Sequence, residues 1–161
     1  MSAVSPRGPM TTTPDPEFDA FADRYDEALQ RGLDASGESK EYFAEGRARW
    51  TRRQLDALGR PAGRVLDLGC GTGSATPYLL GALGAREVVG SDTSLASLEV
   101  ARRSFGGRGS APARFVAPAD VAALGPFDTA FCNGVFHHIP LAERAGAVAA
   151  VHDALAPGGL F

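Results

Sequence analysis

Three glycines at alternate positions follow a short apolar run in the stretch V-L-D-L-G-C-G-T-G, which covers residues 65–73. Glycine is needed where the backbone adopts a positive φ or where a ligand must approach the chain closely. The residues after the stretch have a helical pattern, and the first N–H groups of a helix favour the anionic end of a ligand. The stretch therefore predicts a strand, a ligand-binding turn and a helix in succession.

Asp67, the acidic residue near the end of this predicted strand, narrows the class of ligand. A carboxylate there suits a ligand with an ammonium group and opposes a pyrophosphate. The glycines also miss the G-x-G-x-x-G spacing of dinucleotide sites, because Thr76 stands where the third glycine is expected. Both observations disfavour an NAD-dependent oxidoreductase, which we keep as an alternative class of enzyme.

A second acidic residue, Asp92, ends the next predicted strand about 20 residues after the glycines. A carboxylate at that point of a parallel sheet can accept hydrogen bonds from both hydroxyls of a ribose. The alternative is that Asp92 only caps the helix that follows. Asp120 is open to the same two interpretations, since it follows the third predicted strand and could either bind a ligand or cap the short turn 121–124.

The order and spacing of these segments resemble the cofactor-binding half of class I S-adenosylmethionine-dependent methyltransferases. The stretch 65–73 is similar to the loop that wraps the methionine end of the cofactor, which implies that Asp67 reaches the cofactor's amino group through water. The resemblance implies that Asp92 accepts from the ribose hydroxyls. The other cofactor-binding residues that it implies are Gly69, Cys70, Gly71, Thr72 and Gly73 in the loop, Thr93 beside the adenine, and Asp120 and Val121 at the adenine amino group and ring.

Two further segments carry the resemblance. The stretch F-D-T-A-F-C-N-G-V-F-H-H-I-P at 127–140 is similar to the family's fourth strand and the loop after it, which implies a backbone contact of Asn133 with the methionine end. An imidazole titrates near neutral pH, so His137 or His138 is a candidate general base; a structural role for the pair, more frequent in this family, is the alternative. The segment 18–26 resembles the N-terminal part of ubiquinone and menaquinone biosynthesis methyltransferases, which implies that Tyr25 lies over the cofactor; the alternative is that Tyr25 is only part of the apolar stripe of its helix.

Short β-branched runs and amphipathic helices alternate after residue 61, and they must position these residues. They predict an α/β fold, a Rossmann-like parallel sheet with flanking helices of the class I methyltransferase type. We expect a disordered tail at 1–16, an N-terminal helical lid or substrate region at 17–60, and an incomplete S-adenosylmethionine-binding domain at 61–161. The stretch L-A-P-G-G-L resembles the turn into the family's fifth strand, so that strand is predicted to open at Leu160.

The same resemblance predicts that the C-terminal strands are missing and that the fourth strand is an exposed apolar edge, which would make the chain prone to aggregation.

Helical spacing predicts which faces of two helices turn toward the core. The helix at 39–58 is expected to turn Phe43, Gly46, Trp50 and Leu58 inward, and the helix at 141–156 to turn Ala145, Val148, Val151 and Leu155 inward.

The composition indicates which binding partners and which cellular compartment to expect. The 161 residues are 44% hydrophobic and 22% charged with a net charge of −3, which fits a globular domain without the basic surface of a nucleic-acid or membrane binder. Cys70 and Cys132 lie too far apart for a CxxC motif and have no histidine at metal-ligand spacing, so we expect no metal site and a reducing, cytoplasmic setting. No run approaches the roughly 20 apolar residues of a membrane span.

The predicted function is S-adenosylmethionine-dependent transfer of a methyl group to a small-molecule acceptor, with S-adenosylmethionine as cofactor. The alternative is a truncated, non-catalytic remnant that binds the cofactor weakly or not at all. We expect no nucleic-acid or membrane partner, because the chain lacks a basic surface. The sequence sets neither the acceptor nor the oligomeric state.

Overall fold

The computed structural model describes residues 40–106 and 112–161 of the chain. Within these ranges the strands are Arg64–Leu68 (β1), Glu87–Ser91 (β2), Ala113–Val116 (β3), Phe127–Cys132 (β4) and Leu155–Leu160 (β5). The helices are Lys40–Ala57 (α1), Thr76–Leu80 (α2), Leu95–Phe105 (α3), Val121–Leu124 (α4) and Leu141–Ala154 (α5), and a 3₁₀ turn at Pro118–Asp120 precedes α4.

The strands form one parallel sheet in the order β3-β2-β1-β4-β5. The chain runs outward from β1 to β3 and then returns to the other side of β1, so the order reverses between β1 and β4. The pairing places Leu68 beside Ser91 of β2 and beside Cys132 of β4, so these three strands end at one level. Ligands of such sheets bind outside the carboxyl ends of the strands, at the point of reversal. The predicted fold class is confirmed.

Apolar side chains cover both faces of the sheet, as expected for a parallel sheet with helices on either side. Alternate residues of β1 divide between the faces. Val65 packs with α1, α2 and β2 residues, in a cluster formed by Ala48, Leu55, Ala62, Leu79, Leu83, Ala85 and Val88. Leu66 packs on the opposite face with Leu68, Val89, Val121, Phe127, Ala130, Val151 and Ala154.

The structure corrects the prediction for the fourth strand. The strand β4 is not an edge, because β5 pairs with it in parallel at Phe127 with Leu155 and at Thr129 with Leu160. The strand β5 begins at Leu155, before the P-G-G stretch that suggested a turn. A shift of register between Phe127 and Thr129 accommodates that stretch within the pairing.

Part of the predicted domain organisation lies outside the described residues. The tail at 1–16 and the first part of the helical region at 17–60, which includes Tyr25, belong to the residues before 40. Helix α1 is the part of that region that the structure describes, and it packs on the sheet through Ala48 and Leu55.

Candidate functional site

The glycine loop, residues 69–73, leaves the carboxyl end of β1 and lies against the end of β2. The N–H groups of Gly69 and Cys70 both donate to the carbonyl of Ser91, at 2.7 and 3.1 Å. The N–H of Gly73 donates to the carbonyl of Cys70 at 2.9 Å. These donors are therefore satisfied inside the protein. The helix α2 that follows has five residues, and the N–H of Thr76 at its start donates to the carbonyl of Gly73 at 2.9 Å; the contact of this helix start with an anionic group stays a prediction.

Asp92 connects the glycine loop to the start of α3. Its Oδ2 accepts from the N–H of Gly71 at 2.8 Å, and its Oδ1 accepts from the N–H of Ser94 at 2.9 Å. Ser94 is the residue that caps α3, because its Oγ accepts from the N–H of Ser97 at 3.1 Å. The alternative that Asp92 only caps the helix is therefore wrong, and its carboxylate lies beside the glycine loop at the carboxyl ends of β1 and β2.

Asp67 is buried near the carboxyl end of β1, with 3% of its surface exposed. Its Oδ2 has no hydrogen-bond partner within the described ranges. Burial, and to a smaller extent the negative charge of Asp92, together raise the pKa of Asp67 from 3.8 to about 7. A cationic group at this position would offset both the desolvation and the repulsion. The site thus has the electrostatics that a ligand ammonium group requires.

Free space adjoins one glycine of the loop and not its neighbours. Gly71, at φ +52°, has no atom within 4 Å of the position that a Cβ would occupy. At Gly69, at φ +70°, that position is filled by the side chain of Val135, and at Gly73 by Phe105 and other side chains. Val135 belongs to the loop after β4, so this contact brings that loop onto the glycine loop. A ligand therefore finds room at Gly71.

The two cysteines lie at the ends of neighbouring strands but are poor nucleophiles. Burial raises the pKa of Cys70 well above its ordinary value, and the charge of Asp67 raises it further. Burial raises the pKa of Cys132 to about 11, again with a contribution from Asp67. Because the thiolate is the reactive form, both residues are inert at neutral pH.

The two histidines predicted as candidate bases lie on the surface with their rings in contact at an interplanar angle of 43°. The ring centroids of His137 and His138 are 3.8 Å apart, and both residues are exposed. The N–H of His138 donates to the carbonyl of Val135 at 2.9 Å, so the pair follows directly on the loop residue that contacts Gly69. The histidines are adjacent to the site, but they are exposed, whereas Asp67 is buried.

The remaining predicted residues differ in what they can offer a ligand. Asp120 is exposed after β3, and its side chain makes no capping hydrogen bond to α4. Val121 packs in the core, and its N–H donates to the carbonyl of Pro118, so that N–H is not free for a ring nitrogen. Asn133 is exposed at the end of β4, Thr93 is half-buried, and Thr72 is buried in the loop.

Three residues of the site were missed by the sequence analysis. Ser91 supplies the carbonyl that holds Gly69 and Cys70, Ser94 caps α3, and Val135 covers Gly69. A serine just before a helical pattern is a recognisable capping signal, which could have identified Ser94. The roles of Ser91 and Val135 depend on contacts between distant segments, for which the sequence carries no local signal.

Comparison with known proteins agrees with this geometry. Residues 66–161 match the family model of the methyltransferase domain. The chain is 37% identical over 125 residues to a trans-aconitate 2-methyltransferase of Methylobacterium nodulans, an alignment that covers 73% of this chain and 44% of that protein. It is 37% identical over 116 residues to a demethylmenaquinone methyltransferase of Thermus thermophilus, covering 69% of this chain and 51% of that protein.

A solved structure shows the same arrangement. An amino pentose methyltransferase from Micromonospora echinaspora, solved with S-adenosylmethionine bound, is 29% identical with a TM-score of 0.62. The match covers 83% of this chain and 54% of that protein. The chain thus spans about half the length of these relatives or less.

The parallel sheet, the glycine loop and the acidic residues at the switch point define a class I S-adenosylmethionine-dependent methyltransferase fold. The chain belongs to the methyltransferase domain family. The buried Oδ2 of Asp67 and the open side of Gly71 fit the cofactor of this family, because they offer an acceptor for an ammonium group and room for its chain.

Two further properties concern the described residues only. No group of three or more His, Cys, Asp or Glu side chains in them is arranged to hold a metal ion. None of the helices in residues 40–106 and 112–161 has the length and apolar character needed to cross a membrane.

Proposed function

We propose that this chain is the cofactor-binding part of an enzyme that transfers a methyl group from S-adenosylmethionine to a small-molecule acceptor. The observation that carries the proposal is the carboxyl group of Asp67, which is buried with Oδ2 unpartnered among the described residues. A buried polar atom without a partner is costly unless a ligand satisfies it. Asp92 and the open side of Gly71 lie at the same end of the sheet.

Different residues contact different parts of the cofactor. Asp67 accepts from the ammonium group at the methionine end, and Asp92 accepts from the ribose hydroxyls. Asp120, exposed after β3, accepts from the adenine amino group. The residues proposed to line the rest of the cofactor are Gly69, Cys70, Gly71, Thr72, Gly73, Thr93 and Asn133, with Tyr25 from the N-terminal region.

When bound, S-adenosylmethionine supplies an electrophilic methyl carbon. The contribution of the chain is orientation, because Asp67 and Asp92 fix the two ends of the ligand on either side of the glycine loop. Holding the acceptor atom, the methyl carbon and the sulfur in line lowers the barrier by up to about 7 to 11 kcal/mol. A side chain that abstracts a proton is not required by this mechanism, and His137 and His138 are proposed only as secondary candidates.

The relatives favour a small molecule as acceptor. Their names specify trans-aconitate, demethylmenaquinone and an amino pentose, which present different nucleophilic atoms. A small organic acceptor is what these names share. Trans-aconitate is the first acceptor to test, because several relatives at 32–37% identity carry that name.

Calorimetry tests the cofactor assignment. We expect the chain to bind S-adenosylmethionine and to show no heat of binding with NAD. The variants Asp67→Asn and Asp92→Ala should each lose at least about ten-fold in affinity, since the first removes the negative charge that faces the ammonium group and the second removes the charged acceptor of the ribose hydroxyls. Asp153→Asn, on the exposed surface of α5, is the matched control and should bind normally. Unchanged affinity in both site variants would contradict the assignment.

Transfer of a labelled methyl group tests the activity. The chain, with labelled S-adenosylmethionine, is incubated with trans-aconitate and separately with a metabolite extract from which macromolecules have been removed. Label in a small molecule supports the proposal. Tight binding of the cofactor without transfer to any compound would favour the non-catalytic alternative, and transfer only to added protein or RNA would contradict a small-molecule acceptor.

A further inference from the structure

Asp92 lies between two backbone segments that must both be fixed if a ligand is to bind. One carboxylate oxygen accepts from Gly71 in the glycine loop at 2.8 Å, and the other accepts from Ser94 at the start of α3 at 2.9 Å. Ser94 is itself 1% exposed and caps a helix of 11 residues, so it provides a rigid attachment. The carboxylate thus ties the glycine loop to α3.

We propose that Asp92 is a positioning residue that holds the glycine loop in its ligand-binding conformation before the cofactor binds. This role is additional to the ribose contact put forward above, and only its effect on cofactor affinity rests on the proposed function.

The middle of the loop needs such a restraint. The glycines on either side of Gly71 are packed against side chains, Gly69 against Val135 and Gly73 against Phe105. Gly71 has open space on its Cβ side, so no side chain from residues 40–106 or 112–161 packs there to restrain it. Glycine loses more backbone entropy on ordering than any other residue. A hydrogen bond from its N–H to a charged acceptor offsets that loss where packing does not.

The two roles of Asp92 are compatible. A carboxylate has about four lone-pair sites, of which the N–H groups of Gly71 and Ser94 occupy two. The remaining sites can accept the two hydroxyls of a ribose without release of the loop. The chain therefore binds a ligand without first breaking the contact that shapes the loop, which is the energetic advantage of a preorganised site.

Amide hydrogen exchange tests the proposal without any ligand. The chain is labelled with ¹⁵N-glycine, and exchange at Gly71 is compared between the wild type, Asp92→Ala and Asp92→Asn. Alanine removes both acceptors, and exchange at Gly71 should become roughly ten- to a hundred-fold faster. Asparagine keeps the shape and one acceptor oxygen, so a smaller increase is expected.

Two controls separate this effect from general loosening. The N–H of Gly125 donates to the carbonyl of Val121 at 3.2 Å, far along the chain from the loop, and its exchange should not change. Asp120→Asn alters another carboxylate that follows a strand of the same sheet, and it should leave Gly71 protected. Asparagine retains the size of aspartate, so Asp92→Asn keeps the test decisive if Asp92→Ala fails to fold.

The outcomes distinguish the positioning role of Asp92 from the proposed methyltransferase function. Unchanged exchange at Gly71 in both Asp92 variants would overturn the positioning role, even if their affinity for S-adenosylmethionine falls, because the ribose contact alone would then explain the loss. Faster exchange at Gly71 supports the positioning role even if the wild type binds no S-adenosylmethionine, a result that would overturn only the proposed function.

Discussion

Burial without a cationic partner among the described residues gives the carboxyl group of Asp67 a protonation equilibrium near neutral pH. Its pKa is raised from 3.8 to about 7, mainly because burial disfavours the charged form and also because Asp92 is negative. An ordinary aspartate in the unfolded chain is ionised above about pH 4. Between these values the folded chain holds a proton that the unfolded chain has released, so the group makes stability depend on pH.

The variant Asp67→Asn should therefore gain stability over the wild type as the pH rises. The wild type loses stability from about pH 4 up to the folded pKa of about 7, and the loss is complete above that value. Asparagine resembles the protonated acid and does not titrate, so the two proteins should be nearly equal near pH 4 and differ by a few kcal/mol at pH 8. Denaturant unfolding at several pH values without ligand measures the difference.

Asp153→Asn is the control for this experiment, since Asp153 has 71% of its side chain exposed. Its difference from the wild type should stay small and constant over the same range. A stability difference for Asp67→Asn that does not grow between pH 4 and pH 8 would show that the carboxyl group is ionised, or solvated, throughout.

The three glycines of the loop should respond differently to alanine. Gly69→Ala should be strongly destabilising, because the new Cβ meets the Val135 side chain and φ is +70°. In Gly71→Ala the new methyl group contacts no atom of the described residues, so only the left-handed backbone should lower the free energy of unfolding, by about 1 to 2 kcal/mol. The methyl group would also occupy the space proposed for the ligand. Thermal denaturation and cofactor titration together measure the two effects.

Val135→Ala provides the matching test of the contact. In the double variant Gly69→Ala, Val135→Ala the methyl groups that obstruct the new Cβ are absent, so part of the lost stability should return. The same valine change should not improve Gly71→Ala, since Val135 does not fill the space at that residue. If Val135→Ala changed the stability of both glycine variants equally, the contact between Val135 and residue 69 would not explain the stability lost in Gly69→Ala.

The elements that carry the site were largely predictable because each has a local signal. The apolar runs of β1 to β4 stand between glycine-rich or polar turns. They predict strands at 65–68, 88–91, 114–117 and 128–133, whose ends differ from the observed ones by at most one residue. The parallel order follows from the helices between them. The bond from Gly71 to Asp92 was not predictable, because it joins residues from two strand ends that only the register of β1 and β2 brings together.

Helix faces were predicted less well than helix positions. In α1 the buried residues are Ala48 and Leu55, whereas Trp50 and Leu58, expected to face inward, are 58% and 62% exposed. Two sets of residues at helical spacing exist in α1, and the sequence alone does not choose between them. In α5 only Val151 of the expected face is buried, because this alanine-rich helix has little contrast between its faces.

The cap of α3 should make a measurable contribution to the stability of that element. Ser94→Ala removes the hydroxyl that accepts from the N–H of Ser97, and a loss of about 1 kcal/mol is expected. Ser104→Ala, on the exposed side of the last turn of α3, is the matched control and should change stability little. Urea unfolding measures the free energy of unfolding of both variants, provided that its dependence on urea concentration is the same in each. Equal losses of stability in the two variants would contradict the capping role of Ser94.

At the scale of the whole molecule both faces of the sheet are buried, and one apolar stripe of α5 is exposed. The face that carries α1 and α2 contains Val65, Leu79, Leu83 and Val88, all with 0% exposure. On the other face α5 contributes Val151 and Ala154 to the core. Its outer stripe, Leu141, Ala145 and Val148, is exposed, with Leu141 at 79% and Val148 at 44%.

The outer stripe of α5 should promote contact between molecules, because its residues recur at the spacing of one helix face. Replacement of Leu141 and Val148 by glutamine should reduce concentration-dependent association, measured by sedimentation velocity, without lowering the thermal midpoint. Leu58→Gln changes a residue that is 62% exposed at the end of α1, outside this stripe, and should leave association unchanged. Equal association in the wild type and the α5 variant would show that contact between molecules arises elsewhere. A lower thermal midpoint in the variant would show instead that Leu141 and Val148 contribute to the fold of the single chain.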